Sequence, residues 1–412
     1  MGILVQKYGG SSLATAERIR AVAQRIVLGR EGARPIVVVV SAMGDTTDDL
    51  IKLAYELADE PDNRELDLLL STGETISCTL MAMTLRHLGH DAISLTGAQA
   101  GIKTEAVHNR ARIVAVDPSR LHRELAAGRI VVVAGFQGIN DEFDITTLGR
   151  GGSDTTAVAM AAILHADLCE IYTDVDGVYT ADPRVEPRAR KLDEISYEEM
   201  LELAQHGARV MNSRAVELGS VYGVPILVRS SFNQEIGTLI HGGAAMELNN
   251  KVRGIAHDSD VAKITVVAVP DRPGIAAALF QPLAKANISV DVIVQNASIH
   301  GKTDMSFTVA RGDLPQALRL VQPVANTMHA TEVVSSADLA KVSVVGTGMQ
   351  HHPGYASRMF TALAEQGINI DMITTSEIRI TCLIDSGQVS QAVHALHDAF
   401  QLDRPELSGR QC

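Results

Sequence analysis

The sequence predicts an α/β protein: a mainly parallel sheet between helices, followed by two small α+β domains. Over residues 1–243, short β-branched runs alternate with helical patterns, which is typical of a parallel sheet covered on both faces. Several of these runs end in loops of glycine and small polar residues. The last third of the chain contains a segment that occurs twice. We therefore expect ligands at the carboxyl ends of the strands in the first part.

Length and composition limit the class of protein. A chain of 412 residues predicts two or three domains. The formal charge of −13 and the lack of a basic block argue against a nucleic-acid partner. The N-terminus enters a strand at once, and we expect neither a signal peptide nor a membrane-spanning run, hence no membrane and a cytoplasmic location. The scattered cysteines predict free thiols in a reducing compartment: Cys78, Cys169, Cys382 and Cys412.

The first strand is predicted at residues 3–6 and is followed by the tight turn KYGGSS at 7–12. A helix follows, with apolar residues at helical spacing from Ile19 to Ile26. A strand, a glycine turn and a helix in this order present backbone N–H groups to a phosphate, and Lys7 adds a positive charge beside them. The spacing is neither a Walker A motif nor GxGxxG, so this turn is a weak signal by itself.

A second buried strand at 36–40 ends in SAMGDTT at 41–47 and leads into another helix. The next helix, around 66–85, contains STGE at 71–74. Glu74 stands among apolar and small residues, where carboxylates are seldom buried without a partner. Two interpretations remain open: a solvated helix residue, or a carboxylate that faces a substrate ammonium group.

The central stretch of the chain is residues 131–156, a strand at 130–134 that leads through TTLGRGGSD to an alanine-rich helix. A helix N-terminus attracts anions, and Arg150 offers a planar donor fork suited to a carboxylate. Asp154 adds a carboxylate in the first turn of the helix. The alternative is a glycine-rich turn in which Ser153 or Asp154 merely caps that helix.

A strand at 170–173 leads into an acidic loop at 174–184, and a further strand at 226–229 precedes the end of this part. The loop starts like a calcium-binding EF-hand, but the later ligand positions do not follow, which argues against calcium. We place the boundary of the first domain at residue 243, because the following residues are small and polar. A linker is predicted over 244–258.

The repeat in the last third reads strand, Pro-Gly turn, helix and strand in both copies. Pro273-Gly274 and Asp291 recur at a constant offset as Pro353-Gly354 and Asp371. We predict domains at 259–336 and 337–412, the second including the C-terminal tail. Two similar copies favour side-by-side packing with a ligand at the seam. The alternative is a structural or dimerisation module without a ligand, because a fold does not determine a function.

Taken together, the motifs resemble those of the aspartokinases, amino-acid kinases that phosphorylate aspartate. They are KYGGSS, SAMGDTT, STGE, AGFQG at 134–138, TTLGRGGSDTTA at 146–157 and YTDVDGVYTADPR at 172–184. The C-terminal copies resemble ACT domains, which bind effectors. The resemblance implies an amino-acid-kinase fold followed by two ferredoxin-like ACT domains in a monofunctional enzyme. It also implies that ATP with Mg²⁺ and L-aspartate yield ADP and 4-phospho-L-aspartate, the first step towards lysine, threonine and methionine.

The resemblance implies roles for individual residues. Catalysis falls to Lys7 and Asp154. ATP binding falls to Lys7, Tyr8, Gly9, Gly10, Ser11, Ser41, Thr173, Asp174, Tyr179, Asp182, Arg184 and Arg209. Aspartate binding falls to Thr47, Glu74, Arg150, Gly151, Gly152, Ser153 and Asp154. No residue is assigned as a dedicated metal ligand.

The resemblance also points to an amino-acid effector, lysine and/or threonine, and to a homodimer or larger oligomer formed through the ACT domains. Effector binding falls to Asp271, Ser289, Val290, Asp291, Gln295, Tyr355, Ala356, Asn369, Ile370 and Glu377. Met246 lies in the predicted linker, so a separate ACT-only subunit started there is a further hypothesis.

This sequence departs from its relatives at three places. One is the polar tail after Leu402, which lacks the final strand that some relatives add to their first ACT copy. Arg209 stands where relatives have a lysine, and the two cations differ in geometry. Asn212-Ser213 replace a frequent His-Pro, and the sequence offers no interpretation of this change. Two rival functions remain: an amino-acid kinase with another carboxylate substrate, and a catalytically silent ACT sensor of amino acids.

Overall fold

The computed structural model describes residues 2–30, 33–208, 210–243, 252–296, 301–349 and 352–404. The chain divides into two compact units. Unit 1 comprises Met1–Tyr179, Lys191–Gln205 and Arg209–Met246. Unit 2 comprises Thr180–Arg190, His206–Ala208 and Glu247–Cys412.

Unit 1 alternates strands and helices, as its sequence pattern predicts. Its elements are β1 (Leu4–Tyr8), α1 (Ala16–Leu28), β2 (Ile36–Val40), α2 (Thr46–Leu57), α3 (Asn63–His87), β3 (Ala92–Leu95), β4 (Ile102–Thr104), β5 (Ile113–Val116), α4 (Ser119–Ala126), β6 (Ile130–Ala134), β7 (Gln137–Ile139), β8 (Ile145–Thr147), α5 (Gly152–Ile163), β9 (Leu168–Thr173), β10 (Glu194–Ser196), α6 (Tyr197–Gln205), α7 (Ser213–Tyr222), β11 (Ile226–Ser230) and β12 (Thr238–His241).

The main sheet of unit 1 has the order β10-β12-β11-β9-β1-β2-β6-β3. All neighbouring pairs are parallel except β11 with β12. Every residue of β2 and β6 is buried, which explains why these strands are continuous apolar runs rather than alternating ones. Since β1, β2, β6 and β9 are parallel neighbours, the loops after them emerge at one edge of the sheet.

A second, smaller sheet has the order β5-β4-β7-β8. Its last strand, β8, leads through residues 148–151 to the N-terminus of α5. The TTLGRGGSD stretch therefore connects a short strand to a helix whose first ten residues are all buried.

One helix in the described residues, α3, is long and apolar enough to cross a membrane by length and composition alone. The sequence predicts no membrane-spanning run, and one helix that meets this criterion is weak evidence for a span. Half of the most apolar window of α3 is buried inside the protein. The helix packs against β3, β6 and β8 and contains the buried carboxylates of Asp67 and Glu74. These features favour a core helix of a globular unit.

Unit 2 contains both copies of the repeat. Its elements are β13 (Gly254–Pro270), α8 (Ile275–Lys285), β14 (Ile293–Gln295), β15 (Lys302–Val309), α9 (Leu314–Thr327), β16 (Glu332–Val345), α10 (Tyr355–Glu365), β17 (Met372–Thr375), β18 (Arg379–Asp385) and α11 (Val389–Phe400). The strands form one sheet in the order β14-β15-β13-β16-β18-β17.

The two copies share their central strands. Residues 262–270 of β13 pair with β15 of the first copy, whereas residues 254–258 pair with residues 341–345 of β16 in the second copy. The first half of β16 pairs in turn with the first copy. The sequence assigns 244–258 to a linker, but the described structure begins a strand at Gly254 because residues 254–258 complete the second copy.

Residues 180–190 belong to unit 2, although they follow the acidic loop of unit 1 in sequence. The hydroxyl of Thr180 lies 3.1 Å from Nε2 of buried His397. The carboxylate of Glu186, also buried, accepts hydrogen bonds from Arg188 and lies 2.8 Å from Nδ1 of His394. These contacts hold the segment against α11.

Candidate active site

Backbone hydrogen bonds join the loops at the carboxyl ends of four adjacent strands. The N–H of Gly9 donates to the carbonyl of Tyr172 at 3.2 Å, and the N–H of Ser41 donates to the carbonyl of Tyr8 at 3.0 Å. The N–H of Gly135 donates to the carbonyl of Val40 at 3.0 Å. The loops after β1, β2, β6 and β9 are therefore held side by side.

The ion pair between Lys7 and Asp154 lies at the centre of this edge. Nζ of Lys7, in β1, lies 2.6 Å from Oδ1 of Asp154, in the first turn of α5. Both side chains are about 90% buried, with 11% and 10% of their surfaces exposed. The ammonium group lies beside the glycine turn, since a Cβ added at Gly9 would lie 3.4 Å from it. The pair brings together the two residues to which the sequence assigns catalysis.

The N-terminus of α5 lies close to the loop after β6. A Cβ added at Gly135 would lie 2.8 Å from Oγ of Ser153, so only glycine permits this approach. Gly151 has a φ of +75°, a left-handed conformation that glycine adopts without strain. The first N–H groups of α5 and its dipole therefore add positive potential beside Lys7.

Glu74 has one satisfied and one unsatisfied carboxylate oxygen. Oε1 accepts a hydrogen bond from the N–H of Ala42 at 3.1 Å, in the loop after β2. Oε2 is buried and has no hydrogen-bond partner among the described residues. Burial raises the pKa of Glu74 to about 7. Of the two interpretations that the sequence leaves open, the structure excludes a solvated residue, and the free oxygen suits a ligand ammonium group.

Arg150 lies in the loop between β8 and α5, and its side chain is 90% exposed. It lies 3.4 Å from the carboxylate of Asp48 in α2. The backbone of the loop is fixed from α7: NH1 of Arg214 donates to the carbonyl of Leu148 at 2.8 Å. Asn212 makes further contacts with this loop and with Asp154. An exposed guanidinium on an anchored backbone is well placed to bind a carboxylate.

Asp67 was missed by sequence reasoning, although it lies in the same helix as Glu74 and is fully buried. Its carboxylate accepts hydrogen bonds from the hydroxyl of Thr147 and from the N–H of Asn109, and it lies 2.9 Å from Nδ1 of His108. Thr147 ends β8, three residues before Arg150. The argument that singled out Glu74, a carboxylate in an apolar stretch, would also have found Asp67.

Asn212 and Arg214 were also missed as site residues. Asn212 caps the N-terminus of α7, since its Oδ1 accepts a hydrogen bond from the N–H of Arg214 at 2.9 Å. An asparagine just before a helical pattern is a capping signal that the sequence contains. Nothing in the sequence indicates that this cap also contacts the loop of Arg150.

Most of the residues assigned to ATP by resemblance lie at the ends of β1, β2 and β9. Gly9, Gly10, Ser11 and Ser41 lie in the loops after β1 and β2, while Thr173, Asp174 and Tyr179 lie at and beyond the end of β9. The side chain of Tyr8 is fully buried and stacks on Tyr172 at 4.6 Å, so only its backbone faces the loops.

The remaining ATP assignments are not in this group. Asp182 and Arg184 belong to unit 2, where the guanidinium of Arg184 makes hydrogen bonds to both carboxylate oxygens of Asp182. Arg209 lies outside the described residues, as does Met246. Among the assigned aspartate-binding residues, Thr47 lies in the first turn of α2, and Gly151, Gly152 and Ser153 begin α5.

The residues assigned to effectors all lie in unit 2. Ser289, Val290 and Asp291 precede β14, and Asn369 and Ile370 precede β17. β14 and β17 are the two outer strands of the sheet, and Asp291 also contacts the second copy through its ion pair with Lys341. Gln295 ends β14, Asp271 follows β13, Tyr355 and Ala356 begin α10, and Glu377 lies between β17 and β18.

Comparison with known proteins agrees with this arrangement. Residues 2–230 match the amino acid kinase family, and residues 264–323 and 342–400 match the ACT domain. The chain is 51% identical over 407 residues to the aspartokinase of Mycolicibacterium smegmatis, which covers 98% of this chain and 97% of that protein. It is 49% identical over 411 residues to the aspartokinase of Pseudomonas aeruginosa, with coverage of 99% and 100%.

A solved structure shows the same architecture. The crystal structure of E. coli aspartokinase III in complex with aspartate and ADP has a TM-score of 0.83 and 26% identity. The match covers 96% of this chain and 99% of that chain.

These matches and the site define the class of protein: an amino acid kinase with two ACT domains, in the fold that the sequence predicts. Within that class, the chain belongs to the aspartokinase family.

Proposed function

We propose that this enzyme transfers the γ-phosphoryl group of ATP to the side-chain carboxylate of L-aspartate, forming ADP and 4-phospho-L-aspartate. The observation that carries the proposal is the buried Lys7–Asp154 ion pair at the N-terminus of α5. Membership of the aspartokinase family supports the choice of substrate. The reaction is the first step of the aspartate pathway to lysine, threonine and methionine.

The arrangement of charges suits this chemistry. The nucleophilic carboxylate is already ionised at neutral pH, so the reaction needs no strong base. It needs positive charge on the phosphoryl oxygens and in-line positioning of two anions that repel each other. Lys7 and the N–H groups of the β1 loop and of α5 supply that charge. Asp154 fixes the direction of the Lys7 ammonium group, which explains a carboxylate beside anionic substrates.

We assign aspartate recognition to Arg150, which binds a carboxylate of the substrate, and to Glu74, whose free Oε2 accepts from the ammonium group. Ser153 and the glycines of residues 151–152 contribute backbone and hydroxyl donors, and Thr47 lies in the facing helix. Gly9, Gly10 and Ser11 bind phosphates, and residues from Thr173 to Tyr179 line the nucleotide side. We also propose that Asp182 and Arg184 contribute to ATP binding. The same role is proposed for Arg209, which stands where relatives have a lysine.

Mg²⁺ fits this site as a companion of the nucleotide. Among the described residues no three histidine, cysteine or acidic side chains are grouped to hold a metal ion. Mg²⁺ commonly binds through one or two carboxylates plus substrate phosphates, which agrees with a site that offers Asp154 near Lys7. When bound, the ion neutralises phosphate charge; the protein residues position both substrates.

We further propose that lysine and/or threonine bind at the ACT domains and inhibit the enzyme. Among the described residues, β14 and β17 form the two edges of the sheet, and Asp291 and Ile370 lie close before them in the chain. Such edges favour pairing with another chain, which supports a homodimer or larger oligomer with effectors near the contact. We also propose a short ACT-only subunit whose translation starts at Met246. We further propose that the enzyme is cytoplasmic.

The test is turnover of ATP with L-aspartate, with acyl phosphate trapped by hydroxylamine, in the presence and absence of lysine and threonine. We expect aspartyl hydroxamate, and a loss of about a hundredfold or more in Lys7→Ala, since one preorganised donor contributes roughly 3 kcal/mol. Lys52→Ala is the matched control, because Lys52 is an exposed lysine of α2. It should retain full activity.

The other outcomes of this experiment would identify one of the two rival functions. Hydroxamate from L-glutamate but not from L-aspartate would show an amino-acid kinase with another substrate. No hydroxamate from either, together with lysine or threonine binding, would show a silent sensor. A single band from the cloned gene on a denaturing gel would count against the short subunit.

A further inference from the structure

A cavity of about 680 Å³ lies in unit 1 between α5, α7 and β5. Its apolar walls come from Ala159 and Ala162 of α5, Leu218 and Val221 of α7, and Ile113–Val116 of β5. Small-molecule pockets typically have volumes of about 300–1,000 Å³ and predominantly apolar walls. The assigned substrate residues do not line this cavity, so the proposed reaction leaves it unexplained.

One polar group in the wall lacks a partner. Thr155 lines the cavity and is 2% exposed, yet its Oγ1 has no hydrogen-bond partner among the described residues. Buried hydroxyl groups are nearly always hydrogen-bonded, because leaving them unpaired is unfavourable. A polar atom of a bound molecule would satisfy Thr155, which directly follows Asp154.

The charged groups that line the cavity favour an anion. Arg112, Arg214 and His165 line it, while Glu217 is the acidic residue among the lining residues. Burial lowers the pKa of Arg214 and the positive charge of Arg112 lowers it further, while the negative charges of Glu105 and Glu217 partly oppose this shift. A carboxylate beside these two guanidinium groups would relieve their repulsion and could accept paired hydrogen bonds.

Arg214 connects the cavity to the aspartate site. Its NH1 donates to the carbonyl of Leu148 at 2.8 Å and its NH2 donates to the carbonyl of Ala111 at 3.0 Å. Leu148 lies two residues before Arg150. A carboxylate that draws Arg214 towards the cavity competes with these two carbonyls and loosens the backbone that carries Arg150.

We propose that this cavity binds a small amphipathic monocarboxylate, with its apolar body between α5 and α7 and its carboxylate at Arg112 and Arg214. Its occupation weakens aspartate binding through the Arg214–Leu148 contact. The site is in the kinase unit and is separate from the ACT domains. The effect on aspartate rests on the proposed kinase activity, whereas ligand binding does not.

The chain contains no tryptophan, so one introduced at the rim reports binding directly. In Val221→Trp, we titrate hexanoate, hexylamine and hexanol, which share an apolar body but differ in charge. We expect a saturable fluorescence change with hexanoate, and binding at least several-fold weaker for the other two. Leu57→Trp, at an exposed position of α2, is the control and should not respond. Equal responses to all three probes, or a response of the control, would overturn the proposal.

Arg112→Gln, added to Val221→Trp, should weaken hexanoate binding roughly tenfold, the value of one charge-assisted hydrogen bond. In the otherwise unaltered enzyme, hexanoate should raise the KM for aspartate, and Arg112→Gln should remove this effect. Hexanoate binding with an unchanged KM would refute the coupling. A tryptophan signal in Val221→Trp that follows protein concentration instead of hexanoate would show that a second copy of the chain covers this face, and would overturn the ligand site.

Discussion

Nδ2 of Asn212 donates a hydrogen bond to the carbonyl of Arg150 at 2.9 Å. The backbone N–H of the same asparagine lies 3.3 Å from Oδ2 of Asp154 and donates to it. A Cβ added at Gly151 would lie 2.5 Å from Nδ2 of Asn212, so the loop passes close to this side chain. One residue at the start of α7 therefore contacts both halves of the proposed site: the loop of Arg150 and the carboxylate that holds Lys7.

Asn212→Ala should raise the KM for aspartate about fivefold to tenfold with a smaller change in kcat. The reason is that the variant removes the hydrogen bond to the Arg150 loop, worth about 1 kcal/mol, but keeps the backbone N–H that contacts Asp154. Steady-state kinetics with aspartate and ATP varied separately provide the measurement.

The same substitution also removes a helix cap, which typically costs about 1 kcal/mol of stability. Thr15→Ala is the matched control, because Thr15 caps α1 through the N–H of Arg18. It should lower the thermal midpoint similarly without changing the KM. If Asn212→Ala behaves like this control, Asn212 only caps its helix.

The pH dependence of aspartate binding should depend on Glu74. Because burial raises its pKa to about 7, the carboxyl group is largely neutral at pH 6 and ionised at pH 8. Only the ionised form attracts the substrate ammonium group, so the KM for aspartate should rise as the pH falls from 8 to 6. Glu74→Gln should have a high KM and a flat profile over this range. A wild-type profile in the variant would rule out this role.

The same group should make the ligand-free enzyme less stable as pH rises. Between an unfolded pKa of about 4.3 and the folded value of about 7, the folded state binds more protons than the unfolded state, so stability falls with rising pH. The total is of the order of 3 kcal/mol. The difference between the thermal midpoints at pH 5 and pH 8 should be smaller in Glu74→Gln than in the wild type. The exposed control Glu142→Gln should keep the wild-type difference.

Two reciprocal ion pairs join the ACT copies. Lys263 of the first copy pairs with Asp371 of the second at 2.5 Å, and Lys341 of the second pairs with Asp291 of the first. Lys341 is the more buried lysine, with 8% of its side chain exposed against 20% for Lys263. Asp291→Asn should therefore destabilise unit 2 by about 2 kcal/mol, and more than Asp371→Asn, because it leaves a buried ammonium group unpaired.

Lys341→Met should restore most of the stability lost in Asp291→Asn, since the double variant buries no unpaired charge. Urea unfolding of the wild type, the two single variants and the double variant measures the coupling energy between Asp291 and Lys341. A double variant as unstable as the sum of the single variants would show that the pair does not contribute.

Asp67→Asn should destabilise unit 1 and raise the KM for aspartate. The amide keeps the volume of the carboxylate but cannot accept all the hydrogen bonds that converge from Thr147, His108 and Asn109. We expect a loss of about 2 kcal/mol and a KM several-fold higher, because β8 carries the Arg150 loop. Asp167→Asn, at a partly exposed carboxylate, is the control and should change neither.

Much of the fold follows from local sequence patterns. The buried β2 and β6 are valine-rich runs of strand length, and their glycine loops show where the chain turns back over the sheet edge. Lys7 and Asp154 are far apart in sequence, but Lys7 stands near the end of the first predicted strand and Asp154 in the first turn of the helix that follows the glycine loop. The order of strands then brings them together, so the site core was predictable.

Other features depend on side-chain contacts that no local pattern encodes. Asn212 reads as a helix cap, and only the position of α7 beside residues 148–151 gives it a second role. Residues 180–190 continue the acidic loop in sequence, yet Glu186 and Thr180 find their partners in α11. The start of β13 at Gly254 could not be inferred either. In the sequence, residues 254–258 look like the end of a linker, although they pair with a strand of the second repeat copy.

The shared strands β13 and β16 have a consequence for any truncated form of the enzyme. A fragment cut between residues 336 and 337 severs β16, and each half then loses a strand that completes its sheet. Both fragments would expose fresh backbone hydrogen-bonding groups along a broken edge, and such edges promote aggregation. The duplicated segment is thus one folding unit, and a minimal soluble regulatory fragment must contain both repeats together with the strand that starts at Gly254.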